Sequence, residues 1–224
     1  MIQIVPAIIP KSFTYLEEKV GLIYTAASEV QVDICDGKFT GSVSWPFVED
    51  RGEFHRLISE EKGLPHWEEI DYEMHLMTKT PADEVSDWVK AGASRLVVHI
   101  EAGSDAIEDI LNEWGHTAEF AIAIKMETPV SAVAGFLSKV RTFQLMGSSK
   151  IGFQGQKLDD RIYERVKELR ALAPDHVIAI DIGVNEETAS KLVSAGANKL
   201  IIGSAIMDSD VPSEALEKFK RLSK

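Results

Sequence analysis

The chain has 224 residues, of which 45% are hydrophobic and 27% charged, and this composition excludes a disordered or collagen-like protein. A net charge of −12 argues against nucleic acid or an anionic membrane as the main partner. Cys35 is the only cysteine and no targeting or membrane segment is evident, so we expect a cytoplasmic protein without internal disulfides.

Short apolar runs alternate with segments of helical periodicity along the whole chain. In chain order we predict a strand at 3–9, a helix at 13–23, a strand at 29–36, a longer loop-rich insertion at about 38–69, a strand at 70–77, a helix at 81–90, a strand at 95–101, a helix at 105–114, a strand at 119–126, a helix at 129–140, a strand at 142–146, a helix at 160–172, a strand at 177–181, a helix at 186–194, a strand at 199–203 and a helix at 213–222.

This order is a strand-then-helix unit repeated about eight times, with no linker to divide it. Several strands are apolar almost throughout, as parallel strands buried on both faces should be. A doubly wound open sheet is the alternative, but eight units in 224 residues favour a single (β/α)8 TIM barrel over residues 1–224.

In such barrels the chemistry lies where strands end and the following loops begin. Side chains alternate along a strand, so Gln31, Asp33 and Cys35 share one face. On the third, fourth and seventh strands the equivalent polar positions are His75, His99 and Asp181. Each polar residue alone is more typical of a capping or loop-bonding group. Four of them at one predicted mouth, however, indicate a site: Asp33, His75, His99 and Asp181.

Glycines follow the last three strands. These segments are 152–156, Gly183-Val184 and Gly203-Ser204. Glycine lets backbone N–H groups approach a ligand closely, and the loops after strands 7 and 8 are the usual phosphate site of this fold. The residues expected to bind a phosphate group are Gly152, Phe153, Gln154, Gly155, Gly183, Val184, Gly203 and Ser204.

At these positions the sequence resembles the ribulose-phosphate 3-epimerase family. The likeness covers nearly the whole chain and keeps six motifs in order: Gln31-Val32-Asp33-Ile34-Cys35-Asp36-Gly37, His75-Leu76-Met77, His99-Ile100-Glu101-Ala102, Gly152-Phe153-Gln154-Gly155-Gln156, Asp181-Ile182-Gly183-Val184 and Gly203-Ser204-Ala205-Ile206.

The resemblance implies that Asp33 and Asp181 are an acid/base pair that moves the C3 proton of a ketose phosphate. It also implies a divalent metal (Zn, Fe, Mn or Co), a small phosphorylated sugar as substrate and a homo-oligomeric state. The implied metal ligands are Gln31, Asp33, His75 and Asp181; the residues expected to line the site are Cys35, Met77, Met146, His99 and Lys125.

Several positions depart from the family pattern. Gln31 stands where the family has a metal-binding His, and its amide oxygen is a poorer ligand than imidazole for zinc-like ions. Ala7 stands where the family has a substrate-facing Ser, and Cys35 where it has Met. Lys125 stands where it usually has Asn.

Three hypotheses follow from the retained and the altered positions. The first is a metal-assisted ketose-phosphate 3-epimerase of the ribulose 5-phosphate/xylulose 5-phosphate type. The second is another phosphosugar isomerase or lyase of the same barrel superfamily, with Lys125 or Lys150 as the cation or Schiff-base amine in place of the metal. The third is a non-catalytic phosphosugar-binding protein.

Overall fold

A computed structural model describes residues 2–48 and 51–222 of the chain. Eight parallel strands form a closed barrel in which each strand pairs with the next along the chain and β8 pairs with β1. The strands are β1 Gln3–Ile8, β2 Glu29–Cys35, β3 Asp71–Met77, β4 Arg95–His99, β5 Glu119–Ile124, β6 Thr142–Met146, β7 Val177–Asp181 and β8 Lys199–Ile202.

Helices connect the strands around the outside of the barrel. They are α1 Phe13–Gly21, α2 Gly52–Ile58, α3 Ala82–Lys90, α4 Ser104–Trp114, α5 Ile162–Leu172, α6 Glu186–Ala195, α7 Ser204–Met207 and α8 Pro212–Leu222. The predicted (β/α)8 TIM barrel is therefore confirmed. None of the helices in the two described ranges combines the length and apolar character that crossing a membrane requires.

Alternation along each strand separates the outer core from the interior of the barrel. On β2, Val30, Val32 and Ile34 belong to the large apolar core shared with the helices. Cys35 belongs instead to a smaller cluster with residues of β3, β4, β5 and β6. A period of two thus places the polar positions of β2 inside the barrel.

Local sequence fixes where helices begin. Ser12 caps α1 by accepting a hydrogen bond from the Tyr15 backbone N–H at 3.0 Å. Asn185 and Thr188 form a reciprocal capping box at the start of α6. Each cap satisfies backbone donors that the helix leaves unpaired, and it therefore fixes the residue at which the helix begins.

Two predicted elements differ from the structure in extent or in type. The prediction that β4 extends to residue 101 is wrong: the strand ends at His99 and a 3₁₀ turn, Ile100–Ala102, follows. The α-helix expected at 129–140 is a 3₁₀ helix, Val130–Phe136, in a segment whose β-branched residues and Gly135 favour the α conformation poorly.

The insertion at 38–69, which was predicted to be rich in loops, contains the helix α2. Phe54 and Leu57 of α2 are buried three residues apart on one face of the helix. The Phe54 ring lies 5.7 Å from that of Trp45 and 4.5 Å from that of Trp88 on α3, measured between centroids. Packing against these rings holds the insertion on the barrel wall.

Candidate active site

Three acid or imidazole side chains converge inside the barrel, at the carboxyl ends of β2, β3 and β7. Asp33, His75 and Asp181 are buried, and one ligand atom from each lies within 4.8 Å of the others. Nδ1 of His75 is 3.0 Å from Oδ1 of Asp33 and 3.5 Å from Oδ2 of Asp181. The sequence-based prediction that these residues meet at one mouth agrees with this geometry.

Two glutamine amides complete the cluster. Gln31 Nε2 donates to Asp33 Oδ1 at 2.8 Å and lies 3.4 Å from Asp181 Oδ2. Gln144 Nε2 lies 3.4 Å from both Asp181 Oδ2 and His75 Nδ1. The sequence analysis missed Gln144, although its place two residues before Met146 on β6 puts it on the same inward face.

Burial and crowding of like charges perturb this cluster. Burial, together with the neighbouring charge of Asp33, raises the pKa of Asp181 to about 7. Burial alone would lower the pKa of His75, but the hydrogen bond to Asp33 and the charges of Asp33 and Asp181 raise it. Two buried carboxylates that face each other are an arrangement that a cation stabilises.

The donor set fits a divalent metal ion. Two carboxylates and an imidazole offer one ligand atom each, and Gln31 Oε1 is buried without a hydrogen-bond partner among the described residues. Because the two ends of an amide are nearly isosteric, rotation of the Gln31 amide turns that unpaired oxygen towards the carboxylates. Gln31 can therefore supply a fourth donor, its amide oxygen.

A second histidine lies behind the first. His99 Nε2 is 2.9 Å from His75 Nε2, and His99 Nδ1 is 3.1 Å from Glu101 Oε2. Burial lowers the pKa of His99 to about 4. Burial opposes ionisation of Glu101, but hydrogen bonds from His99 and other donors lower its pKa to about 2.

A cavity of about 350 Å³ opens beside the cluster, and both Asp33 and Asp181 line it. Its wall includes every residue that the sequence analysis expected to bind phosphate: Gly152, Phe153, Gln154, Gly155, Gly183, Val184, Gly203 and Ser204. The predicted carboxylate pair and the predicted glycine loops therefore face one space.

The backbone of the loop after β7 takes an unusual course. Gly183 has a φ of 75°, and a Cβ placed on it would lie 2.5 Å from the Leu158 backbone nitrogen, so no other residue fits there. The preceding Ile182 also has a positive φ, 77°, which is rare for a β-branched residue. Strain of this kind is typical of functional loops, and Ile182 lines the cavity.

The residues expected to line the site fall into two groups. Met77 lines the cavity, whereas Cys35 and Met146 are fully buried in an apolar cluster beside it. Burial and the charge of Asp33 raise the pKa of Cys35 to about 12, so its thiol stays protonated at neutral pH.

Lys125 and Lys150 do not line the cavity. Lys125 Nζ lies 3.5 Å from the ring centroid of Phe39, in the loop after β2, and that ring packs 4.8 Å from His99. Lys150 is exposed. The sequence analysis missed the lysine that does line the cavity, Lys157, although it directly follows the glycine-rich motif at 152–156.

Comparison with known protein families gives a match over most of the chain. The sequence model of the ribulose-phosphate 3 epimerase family matches residues 3–207. The chain belongs to this family. It is therefore an isomerase of the epimerase type, as the sequence analysis predicted.

Curated relatives in the family are similar over most of their length. The chain is 30% identical to the ribulose-phosphate 3-epimerase of Candida glabrata, over 97% of this chain and 90% of that protein. It is 27% identical to that of Bacillus subtilis, over 98% of this chain and 99% of that protein. It is 28% identical to the chloroplastic ribulose-5-phosphate-3-epimerase of Arabidopsis thaliana, over 96% of this chain and 75% of that protein.

Solved structures confirm the fold of this family member. The 3-hexulose-6-phosphate synthase from Salmonella typhimurium superposes with a TM-score of 0.71 over 99% of this chain and 98% of that chain, at 13% identity. A second 3-hexulose-6-phosphate synthase superposes with a TM-score of 0.70 at 15% identity, over 98% of this chain and 99% of that chain.

Proposed function

We propose that this protein is a ketose-phosphate 3-epimerase that interconverts ribulose 5-phosphate and xylulose 5-phosphate. The observation that carries the proposal is that Asp33 and Asp181 line one cavity together with the glycine loops at 152–155, 183–184 and 203–204. Family membership and the names of the curated relatives support the substrate.

The two carboxylates divide the proton transfer. One group, as a carboxylate, takes the proton from C3, and the C3–H electrons delocalise through C2 onto the carbonyl oxygen. The other group, which starts as the carboxylic acid, gives its proton to C3 on the opposite face as those electrons return, so the two groups exchange protonation states. The net result is inversion at C3 without loss of atoms. A general acid and base that face each other across the reacting carbon are what this reaction requires.

The developing negative charge on the substrate oxygen needs a positive partner. Asp33, His75, Asp181 and the amide oxygen of Gln31 would hold a divalent ion, which when bound supplies Lewis-acid stabilisation of that charge. Gln144, whose amide reaches Asp181, holds that carboxylate in place.

The phosphate end of the substrate would lie against the glycine loops. A net charge of −12 repels an anion at long range, so binding depends on local donors. Backbone N–H groups around Gly155, Gly183 and Ser204 are the expected donors, and Lys157 adds the positive charge. A homo-oligomeric state stays a prediction.

The Schiff-base alternative assigned the amine to Lys125 or Lys150. Lys125 lies on the Phe39 ring and Lys150 is exposed, and neither of them lines the cavity. A purely binding role would leave the convergence of two aspartates unexplained. The placement of these residues therefore favours the epimerase.

The test is turnover of ribulose 5-phosphate by purified protein supplied in turn with Zn²⁺, Mn²⁺, Fe²⁺ and Co²⁺, with bound metal measured by elemental analysis. We expect xylulose 5-phosphate to form with at least one ion. The variant Asp181→Asn should lose turnover. Asp175→Asn, an exposed substitution before β7, is its matched control and should keep it. If the protein interconverts the two sugars with none of the four ions, the proposal is wrong.

A further inference from the structure

Three polar side chains contact one another in sequence beside the cavity: His75 on β3, His99 at the end of β4 and Glu101 in the 3₁₀ turn that follows. His75 faces Asp33 and Asp181 through Nδ1, and through Nε2 it faces Nε2 of His99 at 2.9 Å. His99 in turn faces Glu101 through Nδ1. His75 and His99 are at most 1% exposed, so water does not compete for the contact between the two imidazoles.

The two imidazoles are arranged for a hydrogen bond between ring nitrogens. Their planes are inclined by only 20° and their centroids are 5.0 Å apart, so the rings meet edge to edge at the two Nε2 atoms. Such a contact needs one N–H and one bare nitrogen. The question is which ring carries the proton.

Glu101 decides between the two arrangements. Its Oε1 accepts the backbone N–H of Lys125 at 2.8 Å, and its Oε2 lies 3.1 Å from His99 Nδ1. If His99 carried its proton on Nε2, a bare Nδ1 would face a carboxylate oxygen with no hydrogen between them. The proton of His99 therefore lies on Nδ1, and its Nε2 is the acceptor.

We propose that Glu101 and His99 are positioning residues that hold His75 in the form protonated on Nε2, and thereby leave its Nδ1, which faces Asp33 and Asp181, to bind the divalent ion that these carboxylates would hold. The inference rests on the metal site of the proposed function. A hydrogen bond to the outer nitrogen of a ligand imidazole fixes its tautomer and its orientation and raises its basicity. Here that bond comes from a second histidine rather than directly from a carboxylate.

The first test is the affinity of the metal-free protein for Zn²⁺, measured by competition with a chelator. Loss of such a partner weakens metal binding about 10- to 100-fold, so we expect this loss for His99→Phe and about tenfold for Glu101→Gln. His99→Gln should recover most of the affinity, because its amide oxygen can accept the Nε2–H of His75. The control is Glu127→Gln, which replaces an exposed carboxylate by a carboxamide, and this variant should bind Zn²⁺ as tightly as the wild type does.

The second test needs no variant. In ¹⁵N spectra of the histidines in the zinc-loaded wild-type protein, we expect the proton of His75 on Nε2 and that of His99 on Nδ1. The opposite tautomers, an unchanged zinc affinity in His99→Phe, or absence of zinc binding by the wild type would each overturn the inference. Neither measurement uses turnover, so an inactive enzyme that passes both would contradict the proposed reaction and leave the positioning role intact.

Discussion

The two ends of the barrel interior both bury charged groups, but they treat them differently. At the base, where the strands begin, Glu73 accepts from Lys199 at 2.7 Å and from Arg95 at 2.9 Å. Glu29 accepts from the same two cations, and Arg95 extends the network to Glu119. At this end every buried charge has an opposite charge beside it.

At the mouth, neither carboxylate has a lysine or arginine as an ion-pair partner among the described residues. Asp33 and Asp181 face each other with one imidazole and two neutral amides as their partners. The consequence appears in the pKa values: that of Glu73 is lowered despite burial, because Lys199 and Arg95 outweigh the cost of desolvation, whereas that of Asp181 is raised. Paired charge is typical of structure, and unpaired charge of a site that binds a cation and moves protons.

The largest effect should come from removing one carboxylate at the mouth. Asp181→Asn should lower kcat for interconversion by about 10²- to 10⁴-fold, because one face of C3 loses its proton carrier. Its free energy of unfolding without metal should not fall, since the change removes one of two facing carboxylates. Steady-state kinetics and urea unfolding check both parts. An Asp181→Asn enzyme with kcat near that of the wild type would contradict the role assigned to the mouth.

Breaking the network at the base should have the opposite outcome. Lys199→Met leaves Glu73 buried beside one cation instead of two, and removing one partner of a buried ion pair costs about 3–5 kcal/mol. We expect this loss in urea unfolding, with kcat of the folded enzyme unchanged. The double variant Lys199→Met/Glu73→Leu should recover part of the stability. A stable Lys199→Met protein with impaired kcat would show that the base takes part in the reaction.

Metal addition should stabilise the molecule only through the mouth. A ligand at 100 times its Kd stabilises the native state by about 2.7 kcal/mol, which for a chain of this size raises Tm by about 5–10 °C. We expect this shift with Zn²⁺ or Mn²⁺ in the wild type, measured by thermal unfolding at fixed protein concentration. The Asp33→Asn/Asp181→Asn variant should show no shift, and an equal shift there would place the metal elsewhere.

The smallest effect concerns acid. Because the pKa of Glu73 is lower in the folded protein than its usual 4.5, its contribution to stability is present above about pH 4.5 and is lost as the pH falls below it. We expect the free energy of unfolding of Glu73→Gln to depend less on pH between about 5 and 3 than that of the wild type. Equal slopes would mean that Glu73 keeps its proton affinity on folding.

Much of this architecture could be predicted from the sequence. The alternating apolar runs predicted the barrel, and the period of two along β2, β3 and β7 placed Asp33, His75 and Asp181 on inward faces. The six motifs in order added the glycine loops. The barrel is confirmed, and the structure brings these side chains and loops to one cavity, because each pattern depends on spacing within one strand or one loop. The roles assigned to these residues stay predictions.

Other features depend on which loops and strands meet, and spacing does not encode that. Nothing in the sequence shows that the Phe39 ring packs against His99 and Lys125, or that His99 bonds to His75 rather than facing the cavity. The base network joins residues up to 170 positions apart, as between Lys199 and Glu29. The 3₁₀ turn at Ile100–Ala102 likewise follows β4 at a point where the alternation of apolar and polar residues continues without a break.

The central claim is that Asp33 and Asp181 act on opposite faces of one carbon. It is tested most directly by following ribulose 5-phosphate in D₂O with the metal-loaded enzyme by ¹H NMR. We predict that xylulose 5-phosphate appears with deuterium at C3 in the wild type, and that interconversion disappears in both Asp33→Asn and Asp181→Asn. Xylulose 5-phosphate that forms at the wild-type rate in either variant, or that keeps its C3 proton in the wild type, would contradict the claim.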